Sequence, residues 1–166
     1  LRNHRLGRQA LLVIRLRRAA YRVAYRLLWL AAFVRPPRGR GAKAALVCDG
    51  EVLLVRHSYG PDRWDLPGGG VRRREDPLAA LRRELAEELG LTGVDPVPLG
   101  VRAGPGRFGR HSTHLYRVDL DSQSVRPDPV EIAEARWWDP AAPPAALGSM
   151  VRQALKLAGL SRPEGR

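Results

Sequence analysis

Three glutamates, at positions 84, 87 and 88, constrain this chain more than any other feature. Offsets of i, i+3 and i+4 put the three carboxylates on one face of a helix. Like charges held side by side repel, so the arrangement costs stability unless something offsets it. The natural offset is a hard divalent cation, which takes several carboxylate oxygens. The stretch Gly69 to Leu91 also contains Glu75, and so holds four of the chain's eight glutamates. The helix is well marked. Asp76 suits an N-cap and Pro77 a first helical position. Leu78, Leu81, Leu85 and Leu89 recur as a buried stripe, and Gly90 supplies the stop. Ahead of it, Trp64-Asp65-Leu66-Pro67 reads as a short strand, and Gly68-Gly69-Gly70 as a loop whose backbone can approach a metal or phosphate. Three acids on one face also fit a solvated surface paired with Arg83. That reading leaves Gly69, Glu75, Gly90 and the preceding turn unexplained.

The full spacing is Gly69, five residues, Glu75, seven residues, Arg83-Glu84-Leu85, one residue, Glu87-Glu88, one residue, Gly90-Leu91. This pattern resembles the Nudix box without departure, and the stretch from Glu131 to Trp138 is similar to the family as well. The resemblance spans residues 41–160 and implies an α/β fold, an α/β/α sandwich with a mixed sheet. It implies magnesium, with manganese as a substitute, held by Glu87 and Glu88. Glu84 is implied as a further ligand or as the general base, and the Gly68 carbonyl as a backbone ligand. Arg83 holds the carboxylates, Glu75 orients, and Gly69 and Gly90 are structural. Some members add a later glutamate, and Glu131 is favoured here over Glu134. The implied reaction is water attack on a pyrophosphate in a nucleoside diphosphate linked to another group. Two alternatives stand beside it: removal of pyrophosphate from RNA 5′ ends, and a non-catalytic nucleotide sensor. The intact set Glu84, Glu87 and Glu88 argues against the sensor. Arg56 and His57 end a strand near the cleft, where Arg56 can touch a substrate phosphate. His111 and His114 flank a later loop.

Charge divides the chain. Residues 1–43 carry eleven arginines, one lysine and no acid, and the remaining 17 basic residues balance 17 acids, so the whole net charge of +12 lies at the N-terminal side. Arginine outnumbers lysine 27 to 2, a skew that a GC-rich genome alone produces. The single Cys48 excludes an internal disulfide and lies in an apolar run, as a buried residue. These features suit a cytoplasmic protein, with peripheral membrane contact as an option.

Residues 9–34 read as an amphipathic helix, with Arg15, Arg18, Arg22 and Arg26 on one stripe and Leu16, Val23, Leu27, Leu30 and Val34 near another. The longest apolar run, Leu27 to Val34, is eight residues. A transmembrane span needs about 20 residues, and interspersed arginines do not suit a secretory signal. Such a helix binds an anionic membrane surface or RNA, or packs on the domain or a homodimer partner. Residues 1–40 are therefore a basic helical extension with a linker at Arg35 to Gly41, residues 41–160 the domain, and 161–166 a tail. Strands are expected at Ala44–Val47 and Val52–Val55, joined by an Asp49-Gly50 hairpin turn. Further strands are expected at Val97–Ala103, His114–Leu120 and Ile132–Trp138. Gly104 to Arg110 reads as a mobile loop and Leu147 to Leu157 as a closing helix.

Overall fold

The computed structural model describes residues 11–20, 23–24, 39–106, 109–148 and 150–160. Helix α1 occupies residues 11–20. The elements that follow are β1 (Gly39–Cys48), β2 (Glu51–His57), α2 (Pro77–Leu89), β3 (Val97–Gly106), β4 (Gly109–Asp119), β5 (Ile132–Trp138) and α3 (Val151–Leu157). The expectations for residues 1–10, 21–22 and 25–38, for the centre of the 104–110 loop and for the 161–166 tail lie outside the described residues.

The five strands form one sheet in the order β3-β4-β1-β2-β5. β1 runs parallel to β4, and the other neighbours are antiparallel. The sheet is therefore mixed, as expected. The β1–β2 hairpin turns at Asp49 and Gly50, whose φ angles of 50° and 80° are those of a tight type I′ turn.

Alternation along the central strands builds two cores. Ala42, Ala44 and Leu46 of β1 and Leu53 and Val55 of β2 face Leu81, Leu85 and Leu89 of α2. Ala45, Val52 and Leu54 face the other way, onto Val151, Ala154 and Leu155 of α3. The period of two sends successive residues to opposite faces, so both faces can be covered by helices. Each fully buried leucine of α2 contributes about 2 kcal/mol of transfer energy. Asp76 caps α2 by accepting from the N–H groups of Leu78 and Ala79 at 2.8 and 3.0 Å, and Gly90 ends it at φ 66°.

Four expectations need correction. β1 begins at Gly39, inside the expected linker, because Gly39 to Gly41 pair in register with His111 to Thr113 of β4. A β-carbon at 39 or 41 would press into the His111 ring, so the small residues that suggest a linker are what let the strand continue. β3 and β4 extend through most of the expected mobile loop, pairing Gly104 with His111 and Gly106 with Gly109. The strand expected at Trp64 to Pro67 is reduced to single bridges, Val55 with Asp65 and Trp64 with Leu147. The closing helix starts at Val151 rather than Leu147, because Leu147 is held extended in a bridge to Trp64, whose carbonyl accepts from the Gly148 N–H.

Candidate active site

The site is built where the glycine loop crosses the edge of α2. Ala42 and Ala44 of β1 donate their N–H groups to the carbonyls of Gly69 and Pro67, at 3.0 and 3.1 Å. These bonds stitch residues 67–69 to the centre of the sheet. Gly68 has φ 115°, and a β-carbon there would collide with the Ala42 carbonyl. Only glycine fits a position that is both left-handed and pressed on backbone. At Gly69 the neighbour is functional: a β-carbon would stand 2.5 Å from the carboxyl carbon of Glu84. The missing side chain at 69 is the seat of that carboxylate.

The loop then reaches α2 directly. The Gly68 N–H donates to Glu88 Oε2 at 2.8 Å. Glu88 is almost fully buried, with 2% exposure, beside the leucines of the core. Burial pushes its carboxyl up to about 8, with the charges of Glu84 and Glu131 adding to the rise; the Gly68 N–H and Lys43 oppose it. His57 Nδ1 lies 3.8 Å from Glu88 Oε1. Burial, then Lys43, lowers the imidazole to about 4, against Asp65, so the ring is neutral near pH 7 and this contact is not an ion pair. Its Nδ1 is buried with no hydrogen-bond partner.

Arg83 joins the remaining acids. Its Nε and Nη2 donate to the two Glu75 oxygens at 2.9 and 3.1 Å, and Nη1 donates to Glu84 at 2.7 Å and to Glu87 at 3.2 Å. Nη2 also reaches the Gly70 carbonyl at 3.1 Å. One planar guanidinium thus ties the loop to three carboxylates, which a lysine ammonium has too few fixed donors to do. The Arg83 bonds and the Arg72 N–H hold the Glu75 carboxyl down at about 2. Glu75 and Glu84 both raise the Arg83 guanidinium above its usual range.

Glu84, Glu87 and Glu88 thus share the α2 face beside the glycine loop. Among the described residues no three acids, histidines or cysteines are drawn into a closed metal-ligating cluster. The positive charge of Arg83 is what Glu84 and Glu87 meet. The donor set is nevertheless that of a hard cation: carboxylate oxygens, with one acid seated deep and two at the rim.

The flanking residues sort themselves by partner. Glu131 lies where its charge acts on Glu88, and its carbonyl accepts from the Ser58 N–H at 2.8 Å. Glu134 is taken by Arg56 at 3.2 Å and Arg136 at 2.8 Å. Arg56 also pairs with Asp62 at 3.1 Å and lies 5.5 Å over the Trp64 ring. It points toward those groups and is not gathered with Glu84 and Glu88. Lys43 was not singled out from the sequence. It donates to the Leu66 carbonyl at 2.9 Å, pairs with Asp65 at 3.2 Å and supplies positive charge beside Glu88. The signal was present: a chain with only two lysines keeps one of them in β1, beside the site. Lys43, His57, Tyr59, Arg63 and Asp65 line an open cavity of about 160 Å³ next to these groups.

Human diphosphoinositol polyphosphate phosphohydrolase 3-alpha is 36% identical over 108 residues, 61% of this chain and 65% of its own length. Rat diphosphoinositol polyphosphate phosphohydrolase 2 is 36% identical over 102 residues, 58% of this chain and 56% of that protein. The chain therefore spans less than two-thirds of the length of these curated relatives. A crystal structure of a MutT NUDIX hydrolase from Burkholderia pseudomallei superposes with TM-score 0.66 at 28% identity, covering 73% of this chain and 98% of the other. The NUDIX domain of Shewanella oneidensis NrtR shares the fold, with TM-score 0.62 at 22% identity over 74% of this chain and 87% of that one. A sequence profile of the NUDIX domain matches residues 37–156, and the chain belongs to the Nudix family.

Proposed function

We propose that the chain hydrolyses a phosphoanhydride bond with a divalent cation, magnesium, as cofactor. The observation that carries this reading is the face of Glu84, Glu87 and Glu88 on α2, locked to the glycine loop through Arg83 and the Gly68 N–H. Glu84, Glu87 and Glu88 would hold the cation, with the Gly68 carbonyl and Glu131 as further donors and manganese as a substitute. Bound there, it supplies charge that offsets the developing negative charge on the phosphate oxygens. Glu84 accepts a proton from the attacking water as the water oxygen bonds to phosphorus and the bridging P–O bond breaks. Arg83 is a positioning residue: it fixes the Glu84 and Glu87 carboxylates and has no proton to give at working pH. The buried Glu88 lies in an apolar setting, where a cation's charge acts with little screening.

The substrate carries a diphosphate. The general reading is a nucleoside diphosphate linked to a second group. A second reading, diphosphoinositol polyphosphates, is favoured by the 36% identity to phosphohydrolases named for those compounds. Product analysis separates these readings, with and without magnesium: two phosphate monoesters from nucleoside diphosphate derivatives, inorganic phosphate from diphosphoinositol polyphosphates, and phosphate or pyrophosphate from 5′-triphosphate RNA. Turnover of none of them in magnesium or manganese, with binding retained, would turn the reading to a nucleotide sensor.

A further inference from the structure

Helix α1 is turned the unusual way round. Arg18 faces the domain: its Nε donates to the Pro129 carbonyl at 2.7 Å and Nη2 to the Ile132 carbonyl at 3.4 Å. Ile14, one turn before Arg18, is half-buried on the same side, and the other large apolar residues face away. Leu11, Leu12, Val13, Leu16 and Val23 are all more than half exposed, Leu16 at 62%. Leu12 and Leu16, at i and i+4, lie about 40° apart on a helix wheel. Arg18 lies on the far side of that wheel, and the exposed Arg15 and Arg17 stand to either side of the stripe. An exposed apolar stripe flanked by cations, on a segment without a single acid, has few partners that satisfy both halves.

We propose that α1 lies flat on an anionic lipid bilayer, its leucine and valine stripe entering the interface and its flanking arginines reaching the headgroups. The charge decides among the partners. Residues 1–43 hold twelve basic groups and no acid, so the same segment of a second copy repels it, and the remaining chain is formally neutral. RNA answers the charge but leaves the leucines in water. An anionic bilayer answers both: the apolar face is buried while arginine stems stretch along it with their heads in the polar layer. No helix among the described residues is long and apolar enough to cross a membrane. The anchor is the Pro129–Ile132 turn, which also carries Glu131 and follows Asp128, whose N–H donates to the Glu88 carbonyl at 2.8 Å. Attachment through α1 therefore holds the α2 site close to the lipid surface.

The test uses the full chain and vesicles in a flotation assay. Phosphatidylglycerol–phosphatidylcholine vesicles should bind it about tenfold or more better than phosphatidylcholine alone, and added salt should erode the difference. The paired variant Leu12→Ser/Leu16→Ser removes apolar area without touching charge or core. It should lower binding about tenfold or more while thermal unfolding and hydrolysis of a soluble diphosphate stay unchanged. Equal binding of both vesicle types, or binding that the leucine pair does not affect, overturns the proposal. So does a full chain that stays off vesicles yet falls from dimer to monomer in the paired variant, or one retained by RNA and not by lipid.

Discussion

α2 and α1 are both amphipathic helices, and they spend their amphipathicity in opposite ways. α2 turns Leu81, Leu85 and Leu89 into the sheet and leaves Glu84 and Glu87 at the rim, tied by Arg83. α1 turns Arg18 toward the domain and leaves its leucines in solvent. A helix whose apolar stripe is buried is fixed by the core and can carry chemistry to within tenths of an ångström. A helix whose stripe is exposed is held from its other side, here by Arg18, and leaves that stripe open to a partner. The same periodicity thus marks a component of the fold in one case and an attachment surface in the other. The core decides which, because α2 is the helix its strands can cover.

The contrast breaks first at the acids. Glu87→Gln and Glu88→Gln should each cut metal-dependent phosphate release by about a hundredfold or more, because each keeps the shape and removes a charge the cation needs. Glu88→Gln carries a second, opposite effect. Its folded carboxyl is raised above the unfolded value, so the acid contributes stability at low pH that is lost as pH rises from about 4.5 through about 8. Replacing it with an uncharged amide that still accepts from Gly68 should therefore stabilise the cation-free chain by about 2 kcal/mol at pH 7. Denaturant unfolding in chelator measures this, and a Glu88→Gln chain less stable than the parent would show that the buried acid is not under strain. Near-parental turnover in saturating magnesium would remove either glutamate from the ligand set.

The next effect sets the two stripes side by side. Leu85→Ala in α2 should cost about 3 kcal/mol, transfer energy plus the cavity left in the core. Leu16→Ala in α1, with the side chain 62% exposed, should change stability by less than about 0.5 kcal/mol. Urea midpoints at constant slope give both numbers. A large loss at Leu16 would mean that α1 is packed against something of its own chain.

How much of this was legible in the sequence follows from the same distinction. α2 and its caps could be read because Asp76, Pro77, Gly90 and the leucine spacing all act locally. β2 is legible as a short apolar run closed by the Asp49-Gly50 turn, whose φ preferences those residues meet cheaply. The start of β1 could not. Gly39 and Gly41 look like a linker until His111, seventy residues on, is known to lie over them. The closing helix starts four residues later than its sequence suggests because Leu147 is drawn into a bridge with Trp64, a long-range contact that local spacing does not show. At the site, the box residues announce themselves by spacing. Lys43 and His57 do not, since their role comes from β1 and β2 delivering them to one end of the sheet. Strand position places Arg56 near the cleft but does not give its partners, which are Asp62, Glu134 and the Trp64 ring.

A smaller effect separates a glycine that serves the fold from one that serves the site. Gly68→Ala meets backbone at a left-handed φ and should cost about 2–3 kcal/mol of stability. Gly69→Ala meets only the end of the Glu84 side chain, which can swing aside. It should leave unfolding nearly unchanged and lower turnover about tenfold or more, by displacing the proposed base. If both substitutions destabilise equally, the Glu84 carboxylate is not the group seated over position 69.

The mildest test is acid titration of the Arg83 clamp. Glu75 is held down at about 2 in the folded chain, against an ordinary value near 4.5. A depressed carboxyl contributes stability that is complete above the unfolded value and is lost as pH falls through the folded one. The clamp's share should therefore be intact above pH 4.5 and fade between there and about pH 2. Glu75→Gln removes that pH-dependent share while keeping an oxygen that can accept one Arg83 bond. The parent should lose its advantage over Glu75→Gln within this window, and the two curves should run parallel above it. Glu88 gives the reverse slope, stability falling as pH rises from about 4.5 to about 8, so the two acids of one helix-and-loop unit can be told apart by sign alone. Parallel curves through the whole acid range would mean that Arg83 holds Glu84 and Glu87 without help from Glu75. The rim of α2 would then be ordered by its own i, i+4 contact rather than by the loop that precedes it.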